Sequence, residues 1–215
     1  MASRQNILDR LKAGQFQSDM SSDPSAKNKA VEPKSLAYLS EHFERALAAA
    51  NAEYRFCTTG DQSETIVKWL EELKLHRCWV SEGTALGQAL RQQNTQNIQW
   101  VNPVDPMGVD RSEVFNQIDI GLTQSHSAIA ETGTLVVIPD ANEPRTMSLV
   151  PPAHLVVVNK SDLFWQFEDW VLQHPEAHKN TNVVFITGPS KTADIQQTLA
   201  FGAHGPKRLL VLIVE

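Results

Sequence analysis

Apolar residues recur at helical spacing at the start of the chain. Residues 3–12 place Ile7, Leu8 and Leu11 on one face of a predicted helix. The next stretch, "GQFQSDMSSDPSAKNKAVEP", is rich in Ser, Asp and Lys and cannot build a core. We therefore predict an N-terminal helix with a mobile connector or extended arm over residues 1–33, and a compact domain over residues 34–215.

Helical and strand-like patterns alternate from residue 36 onward. "SLAYLSEHFERALAAANA", "SETIVKWLEELKL" and "TALGQALRQQ" have the spacing of amphipathic helices, and "RSEVFNQI" is a further helix candidate. "EYRFCTT", "HRCWVS" and "NIQWVN" are strand candidates. The second half adds the apolar runs "IDIGLTQ", "TLVVI", "HLVVVN", "NVVFIT" and "LLVLIV", with helices expected at "SDLFWQFEDWVLQ" and "KTADIQQTLAF".

Strands that are apolar on both sides are typical of a sheet covered by helices. The alternation predicts an α/β fold with a largely parallel sheet. Three strand candidates within residues 118–158 have little helix between them. We expect an antiparallel or hairpin-like insertion there.

Composition narrows the classes of function. The chain has 215 residues, 41% of them hydrophobic, and a net charge of −6, so no basic stripe is available for nucleic acid or a membrane surface. No apolar run is long enough for a membrane span, and "MASRQNILDRLKAG" lacks the apolar core of a signal peptide. Cys57 and Cys78 are too few for a four-cysteine iron–sulfur cluster. We expect a cytoplasmic protein.

The loop in "VVFITGPSKTADI" offers the clearest physical argument for a ligand-binding site. A strand, a Gly-Pro turn, Ser190, Lys191 and a helix predicted to start at Thr192 would favour an anion at the helix N-terminus. The alternative is that Ser190 or Thr192 only caps the helix. The chain contains neither a Walker motif nor the dinucleotide fingerprint G-x-G-x-x-G.

Three fragments occur in the order "AIAETGTLVV", "EPRTMSLVPPAHLVVV" and "ITGPSKTADIQQTLAFGAHGPKRLLVLIV". Together they carry the motifs E-T-G-T, R-x-x-S-L-x-P-x-x-H, G-P-S-[RK]-T-A-D-I and G-x-H-G-P. The combination closely resembles the LUD-domain family, and within it the lactate utilization protein C group. The resemblance is densest from about Asp119 to the C-terminus, and Lys191 stands where many relatives carry arginine.

The resemblance implies a Rossmann-like fold similar to the sugar-isomerase and coenzyme A-transferase superfamily. It also implies a role in oxidising L-lactate to pyruvate. Cysteine-rich and iron–sulfur partner proteins would carry the redox chemistry, and this chain would hold no cofactor.

Within these motifs Glu131 is the candidate catalytic residue. Small neighbours, with Gly133 among them, would let a substrate approach it, and partial burial would raise the pKa of its carboxyl group for proton abstraction. The alternative is a structural role in which Glu131 only orders its own loop, and the sequence supports the two roles equally. Candidate ligand-binding residues are Arg145, Ser148, Ser190, Lys191, Thr192 and His204.

Two further questions are what Arg145 binds and whether the histidines of these motifs bind a metal. Arg145 suits a carboxylate or phosphate, but a salt bridge with Glu143 or Glu131 would also explain it. His126, His154 and His204 lie in or beside the motifs, yet their spacing matches no local metal motif, so we expect no metal site.

Two functions compete, and a small-ligand sensor without catalysis is a third alternative. The first is a cluster-free component of a lactate-oxidising system that binds a small anionic ligand. The second is a free-standing transferase- or isomerase-like enzyme with Glu131 as nucleophile or base. Whether this chain is itself catalytic stays open at this point. We expect Glu131, Arg145, Ser190 and Lys191 to meet in one cleft at the carboxyl end of the sheet.

Overall fold

The computed structural model describes residues 34–102, 117–193, 199–201 and 204–215. The expected N-terminal helix and connector, residues 1–33, lie outside the described residues, as does most of the helix expected at residues 111–118. Residues 34–215 form one compact unit. No helix among the described residues is long and apolar enough to cross a membrane.

A six-stranded sheet occupies the centre of this unit. In spatial order its strands are β1 (Glu53–Cys57), β12 (Arg208–Val214), β7 (Ala153–Asn159), β4 (Ile120–Gln124), β2 (Arg77–Trp79) and β3 (Gln99–Val101). Every neighbouring pair is parallel. The structure thus confirms the α/β class and the largely parallel sheet that the alternating pattern predicts.

Helices cover both faces of the central sheet. They are α1 (Leu36–Ala49), α2 (Gln62–Glu72), α3 (Ala85–Arg91) and α4 (Thr146–Leu149), whereas α5 (Phe167–Gln173) packs outside this sheet, with Trp170 against Ile129 and Val136. Ser35 and Thr84 cap α1 and α3 by accepting backbone N–H bonds. Residues of α2 and α3 pack in one core cluster with the strands, and α1 packs in a second cluster on the opposite face, led by Phe43 and Leu47.

A second sheet lies in the core cluster that contains α1. Its order is β8 (Leu163–Phe164), β5 (Ser127–Ile129), β6 (Thr134–Val137) and β9 (Val184–Ile186). β5 and β6 form an antiparallel hairpin, which confirms the insertion predicted within residues 118–158. The expectation that "NVVFIT" joins the parallel sheet is wrong, because β9 pairs antiparallel with β6.

The prediction of a helix at "KTADIQQTLAF" is also wrong for those of its residues that the structure describes. Residues Lys191–Ala193 form β10, which pairs antiparallel with β11 (Leu199–Phe201), and residues 194–198 lie outside the described residues. Upstream, α5 begins only at Phe167, since Leu163 and Phe164 are held as a strand against β5. Pairing between strands overrides the local helical spacing in both places.

His154 is a fully buried ionisable side chain of the central sheet. It lies in β7 with its Nε2 atom 2.9 Å from Thr123 Oγ1, and its Nδ1 has no hydrogen-bond partner among the described residues. Burial lowers the pKa of His154 from 6.5 to about 3. The imidazole is therefore neutral in the fold, while the unfolded chain protonates it below about pH 6.5.

We expect His154 to make the fold acid-sensitive. As pH falls from 6.5 towards 3 the unfolded state takes up the proton first, so stability that is present above pH 6.5 is progressively lost, by about 2 kcal/mol at pH 5. Urea unfolding of the wild type and of His154→Leu at pH 7, 6 and 5 measures this. The variant should lose less stability on acidification. This role would be contradicted if the free energy of unfolding depended equally on pH in the wild type and in His154→Leu. It would also be contradicted if the control His178→Leu, which removes an exposed histidine, reduced the pH dependence as much as His154→Leu does.

Candidate functional site

The turn of the β5–β6 hairpin presses on the last turns of α1. Gly133 has a φ of 66°, and a Cβ there would lie 3.0 Å from the carbonyl carbon of Ala46 and 3.0 Å from the backbone nitrogen of Leu47. Positive φ and lack of space both favour glycine at this position. The glycine of the E-T-G-T motif therefore serves contact with α1, whereas the sequence suggested substrate approach.

The loop after β9, residues 187–191, presses on the end of the same helix. Gly188 in this T-G-P-S-K loop has a φ of 81°, and a Cβ there would lie 2.9 Å from the carbonyl oxygen of Ala50. Lys191, three residues later, donates from Nζ to that oxygen at 3.0 Å. A cation at the carboxyl end of a helix also complements the helix dipole. Lys191 thus ties the loop to α1.

A chain of threonine hydroxyls joins the two loops. Thr132 Oγ1 lies 2.7 Å from Thr134 Oγ1, which in turn lies 2.7 Å from Thr187 Oγ1. Each hydroxyl has one donor and two lone pairs, so such a chain can be satisfied along its length. The E-T-G-T and T-G-P-S-K motifs are therefore one structural unit.

The H-G-P segment, residues 204–206, closes the other side of this unit. The backbone N–H of Ser190 donates to the carbonyl oxygen of Pro206 at 2.9 Å, and a Cβ on Gly205 would lie 3.4 Å from the Cβ of Ser190. The backbone N–H of Lys207 donates to the carbonyl oxygen of Pro152 at 2.8 Å, just before β7. The segment thus connects the T-G-P-S-K loop with the S-L-x-P-x-x-H motif.

A pocket of about 380 Å³ opens where these motifs meet. Its walls are the end of α4, strand β9 with the loop that follows it, and residues 204–206. Four of the predicted ligand-binding residues line it: Ser148, Ser190, Lys191 and His204. Ser148 is buried and donates its hydroxyl proton to the carbonyl oxygen of Arg145 at 3.0 Å.

The other predicted site residues lie elsewhere. Glu131 is exposed on the hairpin turn, where its backbone N–H donates to the carbonyl oxygen of Trp165 at 3.0 Å, so the expected partial burial of its carboxylate is wrong. Arg145 is exposed at the start of α4. Among the described residues neither Glu131 nor Arg145 lines the pocket, so the single cleft expected for four residues holds only Ser190 and Lys191. Thr192 lies in β10, and the helix N-terminus expected there is a strand instead.

The alternative salt bridges of Arg145 are not formed. In the described part of the chain no ion pair joins Arg145 to Glu131 or to Glu143. Arg145 instead contributes its carbonyl oxygen to Ser148. Neither of the two acids that the sequence offered as partners orients its guanidinium group.

Glu143 is an acid whose environment the sequence did not reveal. Its Oε2 accepts the backbone N–H of Gln124 at 3.1 Å, and its Oε1 is buried without a hydrogen-bond partner among the described residues. Burial, aided by the charge of Asp140, raises the pKa of Glu143 to about 7. In the sequence, the only sign of this environment is that an acid stands in the loop before α4. We considered that acid there only as a salt-bridge partner for Arg145.

The three motif histidines have three different surroundings. His154 is in the core, His204 lines the pocket with Lys191, and His126 lines a separate pocket beside α5. Within the described ranges no three metal-ligating side chains gather at one point.

Comparison with known proteins places the chain in a family. The model of the LUD domain matches residues 40–214. The chain belongs to the LUD domain family. A DUF162 family protein from Deinococcus radiodurans has a similar structure, with a TM-score of 0.66 and 24% identity, covering 85% of this chain and 100% of that one. This likeness supports the fold.

Relatives of this LUD domain protein include both uncharacterized and named proteins. An uncharacterized protein from Neisseria meningitidis serogroup B is 35% identical over 81% of this chain and 76% of its own length. Lactate utilization protein C of Anoxybacillus flavithermus is 32% identical over 50% of this chain and 49% of its own length. The protein of the same name from Exiguobacterium is 34% identical over 48% and 47%. The chain thus spans about half the length of these lactate utilization proteins.

We expect Gly133→Ala to destabilise the LUD domain by about 1–3 kcal/mol, the scale of a non-glycine residue held at positive φ. Crowding against α1 acts in the same direction. Gly60→Ala is the matched control, since the nearest atom to its Cβ would be 3.9 Å away and alanine should be neutral or slightly stabilising there. Urea unfolding of both variants measures the difference. Equal stabilities would show that the hairpin turn is not pinned on α1.

Proposed function

We propose that this chain is the component of a bacterial L-lactate utilization system that carries no iron–sulfur cluster. The system oxidises L-lactate to pyruvate, and cysteine-rich and iron–sulfur partner proteins carry its redox cofactors. Membership of the LUD domain family and the names of the relatives support this role. The chain acts in the cytoplasm and contributes a binding site for a small anion.

The observation that carries the anion site is the pocket at Ser190. Residues from three motifs line it, and they include the cation Lys191 and the hydroxyl of Ser190. His204 adds an exposed imidazole. A carboxylate or phosphate takes charge-assisted hydrogen bonds from such donors. Because the hydroxyl proton of Ser148 is already donated to Arg145, Ser148 shapes the wall and the other three residues contact the anion.

We expect Lys191→Ala to weaken the binding of L-lactate or pyruvate by about 1–3 kcal/mol, the scale of a hydrogen bond to a charged group. Isothermal titration calorimetry of the purified chain measures its affinity for each of the two anions. Lys68→Ala is the control, because Lys68 is an exposed lysine on α2 that pairs with Glu64. An unchanged affinity in Lys191→Ala, or equal losses in both variants, would contradict the anion site.

A free-standing transferase- or isomerase-like enzyme is the second proposal, and it depends on Glu131. The exposed hairpin turn leaves this carboxylate accessible. The turn also lies outside the walls that the described residues form around the pocket. The first proposal therefore does not need the charge of Glu131.

Glu131→Gln separates the two proposals, because it keeps the shape of the side chain and removes its charge. We expect the variant to fold and to support growth on L-lactate in a strain that lacks its own copy of the gene. Growth and thermal unfolding of the variant are compared with the wild type. A folded variant that fails to support growth would favour Glu131 as a chemical residue.

A further inference from the structure

A second pocket, of about 410 Å³, lies beside α5 and the 3₁₀ turn Pro175–Lys179. It shares no lining residue with the anion pocket within the described part of the chain. Two histidines, His126 and His174, stand on its wall with their ring centres 4.8 Å apart and their planes at 77°. The proposed lactate role uses neither of them.

The ring of His174 is fixed in orientation. Its Nδ1 lies 2.8 Å from the carbonyl oxygen of Trp170. A carbonyl only accepts hydrogen bonds, so Nδ1 carries the proton and Nε2 keeps a lone pair in the neutral ring. The ring also stacks on Trp170, with centres 5.0 Å apart, and meets Phe164 edge-on at 5.3 Å.

The ring of His126 is held in a similar way. Its Nδ1 lies 3.2 Å from Ser127 Oγ, which also accepts the indole N–H of Trp170 at 2.6 Å. The indole N–H occupies one lone pair of the serine oxygen, and when Nδ1 of His126 donates to the other, Nε2 of His126 keeps its lone pair as a ligand. Histidines that bind metals commonly donate their other ring N–H to a protein acceptor in this manner.

The separation of the rings suits two ligands of one ion. With metal–nitrogen bonds of about 2.0–2.1 Å, two neighbouring imidazole ligands bring their ring centres to roughly 4.5–5.2 Å. The observed 4.8 Å lies within this range. We propose that His126 and His174 form a two-histidine site for a divalent transition metal such as Zn²⁺ or Co²⁺.

This two-histidine site differs from the three-histidine metal site that the sequence spacing argued against. That expectation concerned His126 together with His154 and His204, which the fold places in three different surroundings. His174 was not among them, because no motif contains it. It reaches His126 through the packing of α5 on the hairpin, where Trp170 contacts both rings.

The wall of the pocket also carries an acid and a cation, Glu176 and Lys179, which pair with each other. Because no group of three ligands gathers among the described residues, the remaining coordination positions belong to water or to a small ligand. The site is therefore of the open kind, unlike a closed four-ligand structural site.

Titration of the full chain with Zn²⁺ and with Co²⁺ tests the proposal. We expect one ion per chain, and at least about tenfold weaker binding in each of His126→Ala and His174→Ala. Circular dichroism and thermal unfolding establish that the variants are folded. If His174→Ala does not fold, the imidazole nitrogen resonances of the wild type decide, since Zn²⁺ should shift Nε2 of both histidines.

His178→Ala is the matched control. His178 also has its Nδ1 near a carbonyl oxygen, that of Pro175 at 2.6 Å, but it is not part of the wall of this pocket as the described residues form it. Its removal should leave metal affinity unchanged. Loss of binding in His178→Ala with retention in His126→Ala would assign the ion to another pair of histidines and overturn the proposal. Absence of one-to-one binding would overturn it as well.

Discussion

The contact of two glycine turns with the carboxyl end of α1 is the constraint on which the motif region depends. Gly133 and Gly188 both adopt left-handed backbone conformations, and in both turns atoms of the last turns of α1 occupy the space that a Cβ would need. A side chain at either position would force the turn away from the helix. The hydroxyl chain through Thr134 then holds the two turns together. The pocket proposed to bind an anion borders the second of these turns, at Gly188.

Lys191 shows how one side chain serves both fold and site. Its ammonium group binds the carbonyl oxygen of Ala50, and the residue also stands at the wall of the pocket. A lysine fixed at a helix end loses less conformational freedom when an anion arrives than a freely moving surface lysine does. For the proposed anion site, the contact with α1 therefore favours binding by holding the cation in place. It also means that a change at this position affects packing and charge together.

The layers of the fold were easier to predict from the sequence than the details of the site. Apolar β-branched runs indicated the parallel strands, and the crowding of strands within residues 118–158 indicated the hairpin. Hydrophobicity alone could not separate β9 from the strands of the central sheet, because both are apolar and short. The pattern after Ser190 has helical spacing, yet Lys191–Ala193 pair with β11, a contact that local spacing cannot reveal.

The acids illustrate why exposure was the hardest property to predict. Glu131 stands among small and apolar residues and looked partly buried, but a hairpin turn projects its side chain to the surface. Glu143 stands in a polar stretch with Asp140 and Asn142, yet its carboxylate folds back onto the end of β4 and is largely withdrawn from water. Burial is decided by which chain segments meet, and those contacts are distant in sequence. A motif therefore marks where segments join, and the chemistry at the joint follows from the side chains that the joint leaves facing a cavity.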